Sequence, residues 1–529
     1  MGCHVNVTRI FTQNLTVEAL THVRSATVQV TRAYGDMLQN VASLCVEFRR
    51  LGVRQADRVL ILCGSRIEAA ESILATFNLG AIAMPLSPLI GKANLLAVVR
   101  GMSPTCCIFE DAPEPDVRMA LEECGCIMIP MKQSDAASPR GWVHYDSLLG
   151  NTSSGLSIPE YPDEQPALVI HSSGSSGSLK AVAMSHGALF RFFEYHNLVW
   201  SQYSDGPDRL TATSAMLTGL PLSHLAGLSI CLQGLMNGRP TYLLSLFVPQ
   251  LYLKLIEQTR CPAIMLVPSL YRSLLKDPYL RAMDKSALRF CISGGEGCPQ
   301  DLIEQIEAAF GVPLVTAYSM TECLSGIGHS RRELFSRRIK RSSCGRQLFG
   351  ELKLCDSQGA EHPNYGELWV RNATVHACYP QPHLNESRIR DGWFRTGDLF
   401  HRDEDGDFYH RGRADDMFVC NGKNIYPLEI ETLLLKHAAV DSVCAVPVSA
   451  GEKGVVPAVL IVPKQPVSEA QIQEFFVTVG PSHAIPRVVK LVDSMPLLGP
   501  GKTDRRRATQ MLQEAYDSTT TVSLETELA

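Results

Sequence analysis

The first half of the chain alternates short, continuously apolar runs with segments whose apolar residues fall at helical spacing, and no other feature restricts the fold as much. Over residues 36–52 the apolar positions Met37, Val41, Leu44 and Phe48 lie near helical spacing, and Gly52 follows as a stop. Residues 58–63 (Arg58, then Val, Leu, Ile, Leu and Cys63) read as a buried strand. Residues 68–79 read as a helix that ends at Gly80, and 81–85 as another strand. Two further short strands are expected at 263–267 and 289–292, each followed by turn residues. Strands that are apolar along their whole length are covered on both faces. The rhythm therefore predicts an α/β fold whose large N-terminal domain has mostly parallel sheets covered by helices.

The length of 529 residues allows roughly three to four domains, fewer if one α/β domain is large. Hydrophobic residues at 45% against 19% charged exclude a disordered chain and supply a large core. No repeat at solenoid spacing is present. Beyond residue 413 the texture changes. Short strands (444–448, 458–462) alternate with helices (427–436, 469–479), which predicts a small α+β domain of roughly one hundred residues. After Arg507 the tail carries Glu514, Asp517, Glu525 and Glu527 and no basic residue, so a solvated, frayed end is expected.

Charge and cysteine usage narrow the class. Forty-nine Lys+Arg against 54 Asp+Glu give a net charge of −5, which excludes a strongly basic nucleic-acid binder at whole-chain level. No apolar run approaches the roughly 18 residues of a membrane span. The N-terminus lacks a signal-peptide core, and Asn6 stands where a myristoylation pattern wants Ser or Thr. Seventeen cysteines, an odd number, imply free thiols in a reducing compartment, and a cytoplasmic protein is expected. Cys106 and Cys107 are adjacent, and Cys124 and Cys126 have no matching second pair. Both pairs read as buried structural thiols rather than zinc ligands.

Five motifs carry chemistry. The first is Ser172, Ser173, Gly174, Ser175, Ser176, Gly177 and Lys180. Its composition suits a flexible linker. Its flanks, however, read as a buried strand (167–170) and a helix start (182–193), and a loop so placed offers N–H groups, hydroxyls and a Lys to phosphate. It is not a Walker A loop. The second motif runs from Tyr318 through Thr321 to Glu322, after the apolar run 312–317. The third is Thr396, Gly397 and Asp398. An Asp of this kind is usually a turn residue, but it can also accept two ribose hydroxyls. The fourth joins Gly412, Arg413, Asp415 and Asp416 to Asn421, Gly422 and Lys423. The fifth is Lys502 in a Gly/Pro loop that leads to Arg505.

In this order the five motifs resemble the adenylate-forming superfamily of acyl-CoA synthetases, aryl-CoA ligases, adenylation domains and luciferases. The likeness runs from about residue 30 to about residue 508. Residues 221–227, Gly294 with Gly295 and Glu296, and residues 366–371 agree with it. The resemblance implies two half-reactions. A carboxylate attacks the α-phosphate of Mg-ATP to give acyl-AMP and pyrophosphate, and a nucleophile, usually a thiol, then displaces AMP. By the same resemblance, residues 173–180 are the β/γ-phosphate loop and Tyr318 stacks on adenine. Thr321 binds the α-phosphate, Glu322 holds Mg²⁺, and Gly294, Gly295 and Glu296 line the adenine. Asp398 and Arg413 hold the ribose, and Lys502 bridges the α-phosphate and the carboxylate. Asp415 is the hinge, which implies an N-terminal domain over 1–413, a hinge at 414–416 and a C-terminal domain over 417–529. Gly422 lies on the loop along the pantetheine channel. Two departures stand out: Leu179-Lys180-Ala181 replaces the usual Pro-Lys-Gly, and Ser319 replaces a common Gly.

Amino-acid-activating members carry an Asp in the segment occupied here by residues 220–226, which hold no carboxylate. An ammonium left unpaired in an apolar pocket is costly, so a non-amino acyl or aryl acid is expected. His224 resembles the ring that borders the carboxylate in acyl- and aryl-activating members; read without the family it is a satisfied core histidine. Pocket walls are expected at Ala226, Gly227 and residues 317–320, with Gly227 giving depth. No carrier-protein segment is evident, so the acceptor is CoA, a separate phosphopantetheinyl carrier protein, or an amine. Arg331, Arg332, Arg337, Arg338, Lys340 and Arg341 form a basic run that reads as a solvated face or as a dock for CoA phosphate or an acidic carrier. The principal reading is an acid–thiol ligase. An amide-forming ligase or luciferase-type oxygenase is the alternative, and a non-catalytic scaffold a third.

Overall fold

The computed structural model describes residues 4–11, 19–25, 29–132, 141–150, 155–173, 179–201, 214–329, 333, 340, 342–375, 386–420, 422–451, 454–498 and 502–527. The chain is mixed α/β, with a large N-terminal domain and a smaller C-terminal one. The helix expected at 36–52 is Tyr34–Leu51, and Gly52 ends it at φ +111°, a conformation that costs a glycine little. The strands Arg58–Leu62, Ile82–Leu86, Cys106–Phe109 and Ile127–Pro130 are almost wholly buried and lie parallel, as their unbroken apolar runs require. Pro166–Ser173 extends this sheet in parallel, and Leu179–Ser185 closes its edge antiparallel.

Two smaller sheets stand beside it. One orders Met216–Thr218, Thr241–Leu244, Ala19–Val23 and Gln29–Ala33. The other is parallel throughout and is made of Ala263–Leu266, Phe290–Gly294 and Leu314–Ala317. A fourth sheet, antiparallel and not foreseen in the sequence, is built on Glu351–Cys355, Tyr365–Arg371, Trp393–Arg402 and Phe408–Arg413. On it the Lys353 ammonium lies 4.8 Å from the Trp369 ring and 4.4 Å from the Trp393 ring, favourable cation–π contacts.

The small domain packs Pro427–Leu434, Glu469–Val479 and Arg505–Glu527 on a sheet of Val440–Ser449, Val455–Pro463 and Val488–Leu491. The expected frayed tail is thus a helix over its described length. Ala508 and Leu512, both 0% exposed, turn one stripe of it into the sheet, and that burial outweighs the polar composition of the rest. Cys106, Cys107 and Cys126 are buried as expected, whereas Cys124 is exposed at the end of the helix Pro115–Glu123. Among the described residues no helix is long and apolar enough to cross a membrane.

One buried carboxylate ties the first elements together. Glu71, 0% exposed on the helix Ile67–Asn78, accepts hydrogen bonds from Arg32 (2.7 Å), Asn40 (2.9 Å) and Tyr145 (2.9 Å). Glu71→Ala leaves the Arg32 cation without its partner and should destabilise the protein by about 3–5 kcal/mol. Chemical denaturation of variant and wild type checks this, and a loss below about 1 kcal/mol would show the cluster to be dispensable.

Candidate active site

The site lies in a cleft of about 1230 Å³ lined by both domains. Its floor is the carboxyl end of the three-stranded parallel sheet, the usual ligand position in an open α/β sheet. Leu314–Ala317 ends there and delivers Tyr318, Thr321 and Glu322 into the cleft, together with residues 317–320 of the expected pocket wall. The neighbouring strand Phe290–Gly294 delivers Gly295 and Glu296, while Gly294 itself is buried at the strand end and does not line the cleft.

The first motif is placed differently from expectation. Leu179–Ser185 is a strand, and the helix begins only at His186, so residues 166–173 and 179–185 pair as the two antiparallel strands of a hairpin where a strand followed by a helix was expected. Val182 and Met184 enter the core on alternate positions, a period-two burial that a helix would break. Ser172 and Ser173 pair with Lys180 and Leu179 at the end of this hairpin, and Lys180 lines the cleft. Gly174, Ser175, Ser176 and Gly177 lie outside the described residues, as do Asn421 and every member of the basic run except Lys340. Lys340 makes ion pairs to Asp403 at 2.7 Å and to Asp405 at 2.5 Å.

Asp398 is not in a turn. It stands within the strand Trp393–Arg402, directly opposite Arg413, and is 6% exposed. The Tyr318 hydroxyl donates to its Oδ2 at 2.7 Å, His410 Nε2 lies 3.4 Å from its Oδ1, and Arg413 Nε is 3.7 Å from the same oxygen. Burial pushes this carboxyl up, but the pull of His410, Arg413 and the tyrosine hydroxyl outweighs it and leaves it below its ordinary value, so it is ionised. Burial and the adjacent Asp398 push the Tyr318 phenol well above its ordinary value, so it remains a donor. His410, whose ring stacks on Tyr318 at 6.0 Å, was missed in the sequence. The signal available was the alternation of the strand Phe408–Arg413, but a register shift beside Leu399 hides which residues face Asp398.

His224 is at the N-cap position of the helix Leu225–Met236 and borders the same cleft. Enclosure of its ring, with the Lys502 charge nearby, lowers its pKa to about 4, so it is neutral at pH 7. Gly227 does not deepen the cleft. A Cβ there would overlap the backbone oxygens of Leu220 and Pro221, so the glycine is needed for close backbone packing, and neither Ala226 nor Gly227 lines the cavity.

Lys502 reaches the cleft from the small domain. Leu498 N donates to the Lys502 carbonyl at 2.7 Å and closes its loop, and Thr503 N donates to Glu296 Oε1 at 2.8 Å across the domain boundary. Gly295, at φ +85°, adopts a backbone conformation that favours glycine and lies against the lysine stem, where a Cβ would stand 3.4 Å from Lys502 Cε. Glu296 therefore holds the lysine loop, a role its sequence did not reveal. Burial raises its pKa, against the opposing pull of the Thr503 N–H and of Lys502. Asp415 and Gly422 do not line the cleft. Asp415 is exposed beside it, and Gly422, at φ +73°, is exposed at the tip between Phe418–Cys420 and Lys423–Ile425.

Among the described residues no group of three or more His, Cys, Asp or Glu could hold a metal by itself. The Glu322 carboxylate lines the cleft and could accept Mg²⁺ carried in with nucleotide phosphates, because that ion commonly takes one or two protein carboxylates and completes its shell from phosphate and water.

Comparison with known proteins bears on the family and the fold. The AMP-binding enzyme family model matches residues 16–380, and that of the AMP-binding enzyme C-terminal domain matches residues 429–502. A feruloyl-CoA synthase from Amycolatopsis sp is 28% identical over 477 residues, covering 89% of this chain and 91% of the relative. The fold is shared with an anthranilate CoA ligase solved with anthranoyl-AMP (TM-score 0.85, 21% identity, 98% of this chain and 99% of that one). It is also shared with an amide bond synthetase from Marinactinospora thermotolerans (TM-score 0.79, 23% identity, 96% and 99%). With both family models matching the two domains that meet at this cleft, the chain belongs to the AMP-binding enzymes, the adenylate-forming family that its ordered motifs resemble.

Proposed function

We propose that the protein is an ATP-dependent acid–thiol ligase that activates a non-amino acyl or aryl carboxylic acid as acyl-AMP, releases pyrophosphate and transfers the acyl group to CoA. The observation that carries this reading is the convergence of Lys180, His224, Thr321, Glu322, Asp398 and Lys502 on one cleft from elements far apart in sequence. The feruloyl-CoA synthase likeness supports a thiol acceptor. The likeness to the amide bond synthetase is one of fold and favours no acceptor.

The roles are those the family resemblance implies, and charge and position support them. Ionised Asp398, with Arg413 opposite, accepts the ribose hydroxyls, and Tyr318 covers the adenine. Lys180, with the Ser/Gly motif that precedes it, and Thr321 take the phosphates. Neutral His224 borders the carboxylate without adding a charge that would compete with Lys502. Glu322 would hold Mg²⁺, which when bound offsets negative charge on the phosphate oxygens. The Lys502 ammonium meets charge growing on the α-phosphate oxygens and the attacking carboxylate, a preorganised contact in a partly dry site. As the carboxylate oxygen bonds to α-phosphorus, the bond to pyrophosphate breaks. In the second step the thiol sulfur bonds to the acyl carbon, AMP leaves and the thiol proton passes to solvent.

We place the hinge at 414–416, between domains over 1–413 and 417–529. The orientation seen here, with Lys502 inside the cleft and Gly422 outside it, suits the first half-reaction. Rotation about the hinge would exchange them, and such hinges absorb large φ/ψ changes.

Two outcomes test the assignment. With ATP, Mg²⁺ and a panel of carboxylic acids, the wild type should release pyrophosphate only with certain acids, and product mass should then identify the acyl-CoA. Lys502→Ala should abolish that release yet still transfer from synthetic acyl-AMP. Release absent with every acid despite ATP binding would favour a scaffold. For the metal, Glu322→Gln replaces a full negative charge by a neutral amide. It should shift the Mg²⁺ titration of pyrophosphate release to higher concentration, while circular dichroism stays unchanged; an unshifted titration with normal turnover would leave Glu322 a turn residue.

A further inference from the structure

The junction between the domains carries a contact that the roles above do not use. Asp415 is exposed, with 47% of its side chain accessible, yet Arg388 Nη2 donates to its Oδ2 at 2.8 Å. Arg413 Nη2 stands 4.0 Å from the same oxygen. The Arg388 guanidinium lies against Gly397. A Cβ built at that residue would overlap Arg388 Nη1 and come within 3.5 Å of Arg413 Nη2. Gly397, at φ +74°, supplies the bare backbone this approach needs, and its carbonyl accepts the N–H of Ala414 at 2.8 Å. The next residue is Asp398. Charges therefore alternate along a row, Asp398, Arg413, Asp415, Arg388, from the proposed ribose site to the proposed hinge. Arg388 belongs to the large domain, lines the cleft and is 19% accessible.

We propose that Arg388 is a positioning residue: it latches the hinge in the adenylating orientation by holding Asp415, and it couples the hinge to the ribose site through Arg413 and Asp398. The proposal rests on the adenylate-forming reading and on residues 414–416 as the hinge. A partly exposed ion pair suits a latch that must release in every cycle, because such pairs are weak and screened by salt. Its leverage comes from position. A contact at the pivot restricts the dihedrals through which the whole small domain must turn, whereas Arg272–Asp441 (3.6 Å) and Lys464–Asp301 (3.3 Å) join the domain faces away from it.

Hydrogen–deuterium exchange of the nucleotide-free full chain over a peptide spanning 410–420 reads the latch without reference to activity. Single-turnover adenylation and transfer from synthetic acyl-AMP read its consequence. Arg388→Ala should speed hinge exchange and slow adenylation by about two- to fivefold, the range an exposed ion pair supports, while transfer is unchanged or faster. Arg388→Lys, which keeps the charge but not the planar fork, should fall between. Hinge exchange identical to wild type in Arg388→Ala would overturn the latch, as would an equal loss of both half-reactions with the fold intact. If the wild type forms no adenylate with any acid while Arg388→Ala still loosens the hinge, it is the ligase reading that falls and not the latch.

Discussion

The hydrogen bond from Thr503 N to Glu296 holds the cleft together as a site. It joins a turn at the end of a parallel sheet in one domain to the lysine loop of the other. The ion pairs Arg272–Asp441 and Lys464–Asp301 also join the domain faces, but this hydrogen bond lies next to Lys502 in the chain and so bears most directly on where its ammonium stands relative to Thr321, Glu322 and His224. The loop is prepared on its own side as well. Arg505, two residues further on, donates to the Ala445 carbonyl at 2.8 Å and pairs with Glu431 at 2.8 Å, which anchors the start of the last helix to the small domain's sheet. Lys502 is thus carried on a stiff arm whose far end is fixed and whose near end is held by one carboxylate. That is what a group needs if it is to enter and leave an active site as a rigid unit.

The large domain supplies charge in a form that does not need the small one. Asp398 is kept ionised in a buried position by three neighbours contributed by its own sheet and by the Tyr318 loop. His224 is kept neutral by enclosure. A carboxylate that must accept hydroxyls and an imidazole that must not repel Lys502 are therefore both set by local packing. The small domain adds Lys502, with Glu431 and Arg505 among the other groups it brings to the cleft; on the proposed reading the groups of the large domain are set before docking and the reacting charge is completed by it.

Much of this was legible in the residues. The parallel sheet showed itself because buried strands such as Arg58–Leu62 cannot alternate, and the small domain because the texture of the sequence changes after residue 413. The antiparallel sheet of residues 351–413 stayed hidden. Its strands carry Gly366 and Gly397 and shift register twice, which blurs a two-residue period. The helix expected from 182 failed because the run before His186 is too short for its period to be read, and pairing with Pro166–Ser173 makes it a strand. The hold of Glu296 on Thr503 and of Arg388 on Asp415 links residues 207 and 27 positions apart, and no local pattern encodes such partners. The same is true of Gly227, whose missing side chain is explained by backbone oxygens that only the folded chain brings near it.

The central claim is that the first half-reaction depends on a lysine held in place across the domain boundary by one half-buried carboxylate, Glu296. Single-turnover acyl-AMP formation by Glu296→Ala and Glu296→Gln, set beside thioester formation from synthetic acyl-AMP, tests it most directly. Removing a hydrogen bond to a charged acceptor costs about 1.5–3 kcal/mol, so Glu296→Ala should slow acyl-AMP formation by roughly 10- to 100-fold and leave thioester formation near wild type. Glu296→Gln, which keeps a carbonyl acceptor, should recover most of the rate. Normal acyl-AMP formation in Glu296→Ala, or an equal loss in both steps, would contradict the account.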